Sequence, residues 1–200
     1  MATSYPVSLP ASPTNFKAAR FGLHSRTNVM MSPLSGAQQV VEQFQMWAAE
    51  FVVPPLDNTE APVWKGFLVS LRGRRGTFRA GDPAYTARGL LAGTPLVNGG
   101  SQTGRALITD GWTASTTGKV GDYFQLGDYL YQLTEDFTAS GGGAATLAFE
   151  PSLRSAPADN APLTVTAPKG LWRLASDEEG MWDEEIGPFF GFSFKCHEAL

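Results

Sequence analysis

Four arginines fall within eight residues, Arg72, Arg74, Arg75 and Arg79 in "LRGRRGTFRAG", and six carboxylates, Asp177, Glu178, Glu179, Asp183, Glu184 and Glu185, fill "DEEGMWDEE". A guanidinium presents a planar fork of donors that matches a carboxylate or a phosphate, so the arginines suit an ion-paired interface, a nucleic-acid contact or a phosphate cradle. Residues 1 to 100 hold nine Lys/Arg against five Asp/Glu, net +4, and residues 101 to 200 hold six against fourteen, net -8. Opposed blocks of this kind meet within one chain, meet between neighbours, or remain two solvated faces. No aromatic-interleaved basic groove or recognition motif accompanies the arginines, and the whole chain carries a net charge of -4, which argues against general nucleic-acid affinity.

Other chemistry-bearing patterns lack their decisive members. "GGSQTGRA", residues 99 to 106, has the glycine spacing of a phosphate-binding loop, but Arg105 stands where the lysine belongs and Ala106 where the magnesium-binding hydroxyl belongs, and strand text follows instead of a helix. Cys196 and His197 are sequence neighbours on a strand and point to opposite faces, so they cannot act as nucleophile and base on each other. A serine nucleophile elbow is absent. The acidic run does not space its oxygens as a calcium loop does, and one cysteine with two histidines makes a Cys/His zinc site improbable. No catalytic residue, metal or cofactor is therefore expected. Trp112, Tyr123, Tyr129 and Tyr131 form the aromatic set from which a sugar-stacking platform would be built; core packing is the commoner role for strand aromatics.

These residues must be held by mostly β elements. "FKAARFGLHS" and "QQVVEQFQMWAAEFVV" alternate as strands around the turn "SPLSG", with Trp47, Ala49, Phe51 and Val53 on one side. A helix is expected over about 60–72, capped by Asn58 or Thr59, with Pro62 in the first turn and Gly73 just past its end. Its apolar face is assigned to Val63, Trp64, Phe67, Leu68 and Leu71, to be buried on a sheet. Gly76 permits a tight turn, "TFRAGDP" re-enters as a short strand, and Arg74 and Arg75 are left on an exposed corner. From 88 to 167 Gly, Thr and Ala rise and short strands recur ("ALITDG", "YFQLGD", "YLYQLTED", "ATLAFEP"), which reads as a small antiparallel β-barrel inserted between 1–87 and 168–200. "LWRLAS", "MWDEE" and "FFGFSFK" return to strand text, and the Pro/Ser/Thr-rich first 15 residues read as an arm that needs a neighbouring surface to become ordered. No signal-peptide pattern or apolar run long enough to span a membrane occurs, so neither secretion by a signal peptide nor membrane insertion is expected.

Taken in order, "YPVSLP", "SPLSGAQQV", the Trp47 strand leading to "VVPPL", "APVWKGFLVSLRG" and "GTFRAGDP" resemble the N-terminal half of distal tail proteins of long-tailed bacteriophages and gene transfer agents. The inserted part, "AGTPLVNGGSQTGRALITDGW", "GDYFQLGDYLYQLTED" and "LAFEPSLRSAPADNAPL", followed by "GLWRLAS", is similar to minor tail proteins of the same group. The resemblance implies a tail-tube-like β-sandwich or split barrel with one flanking helix, six copies of which form a ring around the channel that DNA crosses. It further implies a structural role without catalysis at the tail tip of a virion assembled in the host cytoplasm. The implied partners are other copies of the chain, the tail tube protein and the baseplate hub, with tape measure protein and tail fibres as further ones. On this reading Arg72, Arg74, Arg75 and Arg79 face acidic groups of an adjacent subunit or tail protein, with the acidic segment 177–185 as their partner or as lumen lining. The alternative is a carbohydrate- or receptor-binding module that uses the insert's aromatics.

Overall fold

The computed structural model describes residues 4–12, 16–182 and 190–200. It is a mainly β structure with one α-helix. A five-stranded antiparallel sheet is built from β1 (Ala18–Met31), β2 (Gln38–Leu56), β3 (Phe78–Ala80), β12 (Gly170–Leu174) and β13 (Phe190–Glu198), in the order β1-β2-β13-β12-β3. Between β3 and β12 the chain forms β4 (Gly93–Val97), β5 (Ala106–Trp112), β7 (Tyr123–Leu126), β8 (Tyr129–Leu133), β10 (Ala145–Glu150) and β11 (Leu163–Thr164). These pair in the order β11-β7-β8-β10-β5-β4, and a bridge between Leu96 and Pro162 brings the two ends together, so the sheet is a nearly closed barrel. A two-stranded ribbon of β6 (Thr117–Gly118) and β9 (Phe137–Thr138) lies beside it.

Alternation sets which face of the first sheet is buried. Trp47, Ala49, Phe51 and Val53 of β2 are buried, as the spacing predicts, and Phe192, Phe194 and Cys196 of β13 join them while Gly191, Ser193 and Lys195 face out. The helix α1 (Ala61–Leu71) covers this face through Trp64, Phe67, Leu68 and Leu71, with Phe67 and Phe78 ring centroids 5.6 Å apart and edge-on. The barrel covers the remainder: Tyr123 and Leu130 belong to the same core cluster, while Leu107, Phe124, Tyr131, Leu147 and Phe149 fill the barrel's own interior.

Val63, assigned to the buried face of the helix, is 55% exposed. At roughly 100° per residue the buried set Ala61, Trp64, Phe67, Leu68 and Leu71 spans an arc of about 120°, and Val63 falls some 40° outside it. Anchoring the stripe on Val63, Phe67 and Leu71 took the edge of the arc for its centre. Val63→Ser is therefore expected to change the unfolding free energy by no more than about 0.5 kcal/mol. Leu71→Ala, by contrast, should cost about 2 to 5 kcal/mol in a chemical denaturation series.

The helix ends also differ from expectation. Glu60 is the N-cap and makes no side-chain cap bond; Asp57 Oδ1 instead accepts from the Thr59 hydroxyl (2.6 Å) and from the backbone N–H of Thr59 (2.7 Å) and Glu60 (2.9 Å). These donors hold the Asp57 carboxyl below its ordinary range. At the other end Arg72 itself turns left-handed (φ 53°), one residue earlier than the glycine expected there. The described part of the N-terminal arm finds its surface on this chain. Tyr5 donates to the Ser70 carbonyl (3.0 Å), Val7 bridges to Phe78 at the β3 edge, and the Trp64 indole donates to the Ser12 carbonyl (3.0 Å).

Candidate subunit interface: the arginine corner and the projecting hairpin

After the helix, Gly73–Arg75 makes one 3-10 turn, and Asp177–Gly180 makes another beside it. Asp177 Oδ1 accepts the Arg74 backbone N–H (2.9 Å) and lies 3.6 Å from Arg74 Nε. Gly73 has φ 65°, and a side chain there would run into the Asp177 carboxylate, so both backbone and space require glycine. The basic and acidic blocks thus meet, and they meet within one chain. Arg74, assigned to an interface between subunits, thus has an acidic neighbour within its own chain. With side chains 60% and 69% exposed, the pair contributes at most about 1 kcal/mol and fixes geometry more than stability. Arg79 is likewise engaged inside the chain, by Asp128 at the β7–β8 turn.

Arg72 and Arg75 are exposed and make no ion pair among the described residues. Glu178 is exposed; Glu179 is half-buried and accepts the Lys195 backbone N–H (2.8 Å). Asp183, Glu184 and Glu185 lie outside the described residues. Of the four arginines, Arg72 and Arg75 therefore remain available to a partner.

A run of exposed apolar side chains lies elsewhere. Beyond about Ser25 and Gln45, β1 and β2 leave the body of the sheet and continue as a two-stranded ribbon whose residues are almost all exposed. At about 3.4 Å per residue it projects roughly 25 Å. It carries Val29, Met30, Met31, Leu34, Val40 and Val41 with exposures from 42% to 99%. A two-stranded ribbon is marginal by itself in water, and contiguous exposed apolar side chains mark contact surfaces. A shift of register between Arg26 and Thr27 twists the ribbon where it leaves the sheet. At this base Glu42 pairs with Arg105 of the barrel (2.6 Å), whose guanidinium also meets Glu150 (2.7 Å); the two carboxylates favour its charged form. Among the described residues β1 is the outer strand of the sheet, so an unpaired backbone edge runs along the body and the ribbon.

The remaining candidates sit in structural positions. Trp112, Tyr123 and Tyr131 are buried and Tyr129 is half-buried, so these aromatics form core and not a stacking platform. Burial pushes the Tyr131 hydroxyl up to about 12 and that of Tyr123 further. Residues 98 to 105 form a loop between β4 and β5, tied by Gln102, whose side-chain amide donates to the Asn98 and Gly99 carbonyls (2.9 and 2.8 Å). Cys196 is fully buried against the Ala49 carbonyl (3.6 Å), and burial pushes its thiol up; His24 lies on the opposite face of the sheet. Among the described residues no cluster of three or more His, Cys, Asp or Glu side chains is placed to hold a metal ion, and no helix is long and apolar enough to cross a membrane.

Sequence reasoning missed the polar residues that join the barrel to the sheet. Glu198, 3% exposed, accepts the Trp47 backbone N–H (3.1 Å) and receives both arms of the Arg154 guanidinium; the Trp47 indole donates to the Leu130 carbonyl (2.7 Å). Asp122, fully buried, gathers the segment that enters the barrel. The fold and site thus define a mainly β chain whose exposed features are a projecting apolar hairpin and a partly unpaired arginine corner. No protein-family model matches the chain, and no curated protein matches it.

Proposed function

We propose that this chain is a structural subunit of a ring at the distal end of a phage-type tail. In this reading six copies join the tail tube to the baseplate hub and fibres around the channel that DNA crosses. The observation that carries the reading is the β1–β2 ribbon: an apolar two-stranded arm roughly 25 Å long is an element whose stable state needs a second body beneath it. An open β1 edge at one side of the molecule and unpaired Arg72 and Arg75 at another supply two different surfaces, as head-to-tail closure requires. The resemblance in motif order described above supports the tail-tip assignment. Burial of the barrel aromatics removes the support for a carbohydrate-binding alternative.

The test is imaging by negative stain with mass from light scattering over a concentration series. Sixfold rings near 128 kDa, six times 21.4 kDa, are expected. A Leu34→Glu/Val40→Lys variant should remain folded and monomeric, because both side chains are exposed in the single chain. A wild-type monomer at every concentration, or rings that persist in that variant, counts against the reading.

A further inference from the structure

The face of the five-stranded sheet turned away from the helix and barrel carries a groove of about 320 Å³. Cross-strand register places its residues. Arg20 of β1, Glu50 of β2 and Lys195 of β13 stand in one row. Gly22, Ala48, His197 and then Arg173 of β12 stand in the next, and His24 follows two residues beyond Gly22. Residues in register share a face, so all these side chains rise from the same surface. The floor is shallow at Gly22 and Ala48, and a Cβ built at Gly22 meets nothing within 4 Å, which leaves a notch between Arg20 and His24.

The charge on this face is unbalanced. Although Glu50 lies between Arg20 and Lys195 in the row, neither cation forms an ion pair within 4 Å among the described residues, and Arg173 forms none either. Arg173 continues the row beyond His197 but does not line the groove, and its Nε is buried. The two cations and two imidazoles that line the groove, against the one carboxylate of Glu50, present more donors than a single carboxylate's two oxygens take up, whereas a phosphate offers three or four oxygens in a compact tetrahedron.

We propose that this groove is a phosphate-binding site, with Arg20 and Lys195 as the charged donors and His24 and His197 along its walls. The phosphate belongs either to a small molecule or to the backbone of a nucleic acid. The site does not depend on ring formation and stands on the single chain.

The two histidines of the chain both line the groove, so the imidazole proton signals in an NMR titration report on it directly. Titrating the full chain with inorganic phosphate, and separately with a single-stranded oligothymidylate, should shift both histidine signals to saturation. Arg20→Ala/Lys195→Ala should weaken binding about tenfold or more per charge removed. Gly22→Val, which fills the notch without changing charge, should also block it, and Arg72→Ala/Arg75→Ala should leave it intact. Saturable shifts with the oligonucleotide, and an affinity falling with salt at a log–log slope of about -0.7 for each phosphate neutralised, assign the site to a nucleic-acid backbone. Shifts with inorganic phosphate alone assign it to a small phosphorylated ligand. Histidine signals that stay fixed at millimolar phosphate with both probes, or shifts that survive Arg20→Ala/Lys195→Ala, overturn the proposal. So does a polyglutamate peptide that binds there more tightly than either probe.

Discussion

Glu198→Ala is expected to lower the unfolding free energy by about 3 to 5 kcal/mol, the cost of leaving one member of a buried ion pair without the other. The Glu198 and Arg154 side chains are 2% and 12% exposed, so solvent screens the pair weakly. The substitution strands two groups at once: the Arg154 guanidinium and the Trp47 backbone N–H, which donates to the same carboxylate. Arg154→Met should be comparably damaging, because it leaves the more deeply buried Glu198 carboxylate without its cation and with only the Trp47 N–H. The double variant Arg154→Met/Glu198→Met should recover most of the loss, since a well-packed apolar pair commonly equals a buried ion pair in stability. Urea titration of the four proteins checks this. If Glu198→Ala loses less than about 1 kcal/mol, the pair is a surface contact in solution and the docking of barrel on sheet is looser than described.

Asp122→Ala should be comparably severe by a different route. Its Oδ1 accepts the Arg88 N–H (2.6 Å), and its Oδ2 accepts those of Gly89 (2.8 Å) and Lys119 (2.9 Å), with no exposure of the side chain. Removing the carboxylate leaves three backbone donors without that acceptor, each worth about 1 to 3 kcal/mol where water does not replace it. A loss of roughly 3 kcal/mol or more is expected, with amide exchange accelerated across residues 85 to 90 and 119 to 122. Asp122→Asn gives little rescue, because its amide NH2 must face one of the N–H groups that the second carboxylate oxygen accepted. Full stability in the Asn variant would mean that one oxygen carries the whole arrangement. Gly89 belongs to the same construction: a side chain there would strike the Thr117 carbonyl and Asp122 Oδ2.

The signals that sequence carries best are periodic. Alternation in "WAAEFVV" and "FFGFSFK" identified the buried faces of β2 and of β13 from Phe192 onward, and the helix was evident from Pro62, Gly73 and its spaced apolar residues, apart from the misplaced edge at Val63. The same alternation applied to "FSFKCHEAL" puts Glu198 on the face of Phe194 and Cys196. A carboxylate there announces a buried partner, although nothing in the sequence says that the partner is Arg154, 44 residues away. The outer-face groove was illegible for a related reason. Its cations come from β1 and β13, each with no local excess of charge, and only cross-strand register gathers them. Conversely, the conspicuous arginine cluster is partly consumed by Asp177 and Asp128. Local density of charge is not the same quantity as unpaired charge.

Ala80 and Gly170 are direct register partners on β3 and β12, so the chain leaves the five-stranded sheet and returns to it at adjacent points. To that sheet the whole barrel is the loop of a hairpin. Replacing a roughly 90-residue excursion with a two-residue turn lowers the closure entropy cost by only about 3 kcal/mol, because the cost grows with the logarithm of length. The position is a port: any folded module whose termini lie about 5 Å apart can be spliced there without altering strand order, and the present barrel can be carried to another hairpin. What such an exchange removes includes the bonds of Glu198, Asp128, Glu42 and the Trp47 indole and the packing of Tyr123 and Leu130, which are points at which this sheet distinguishes its own barrel from any other cargo.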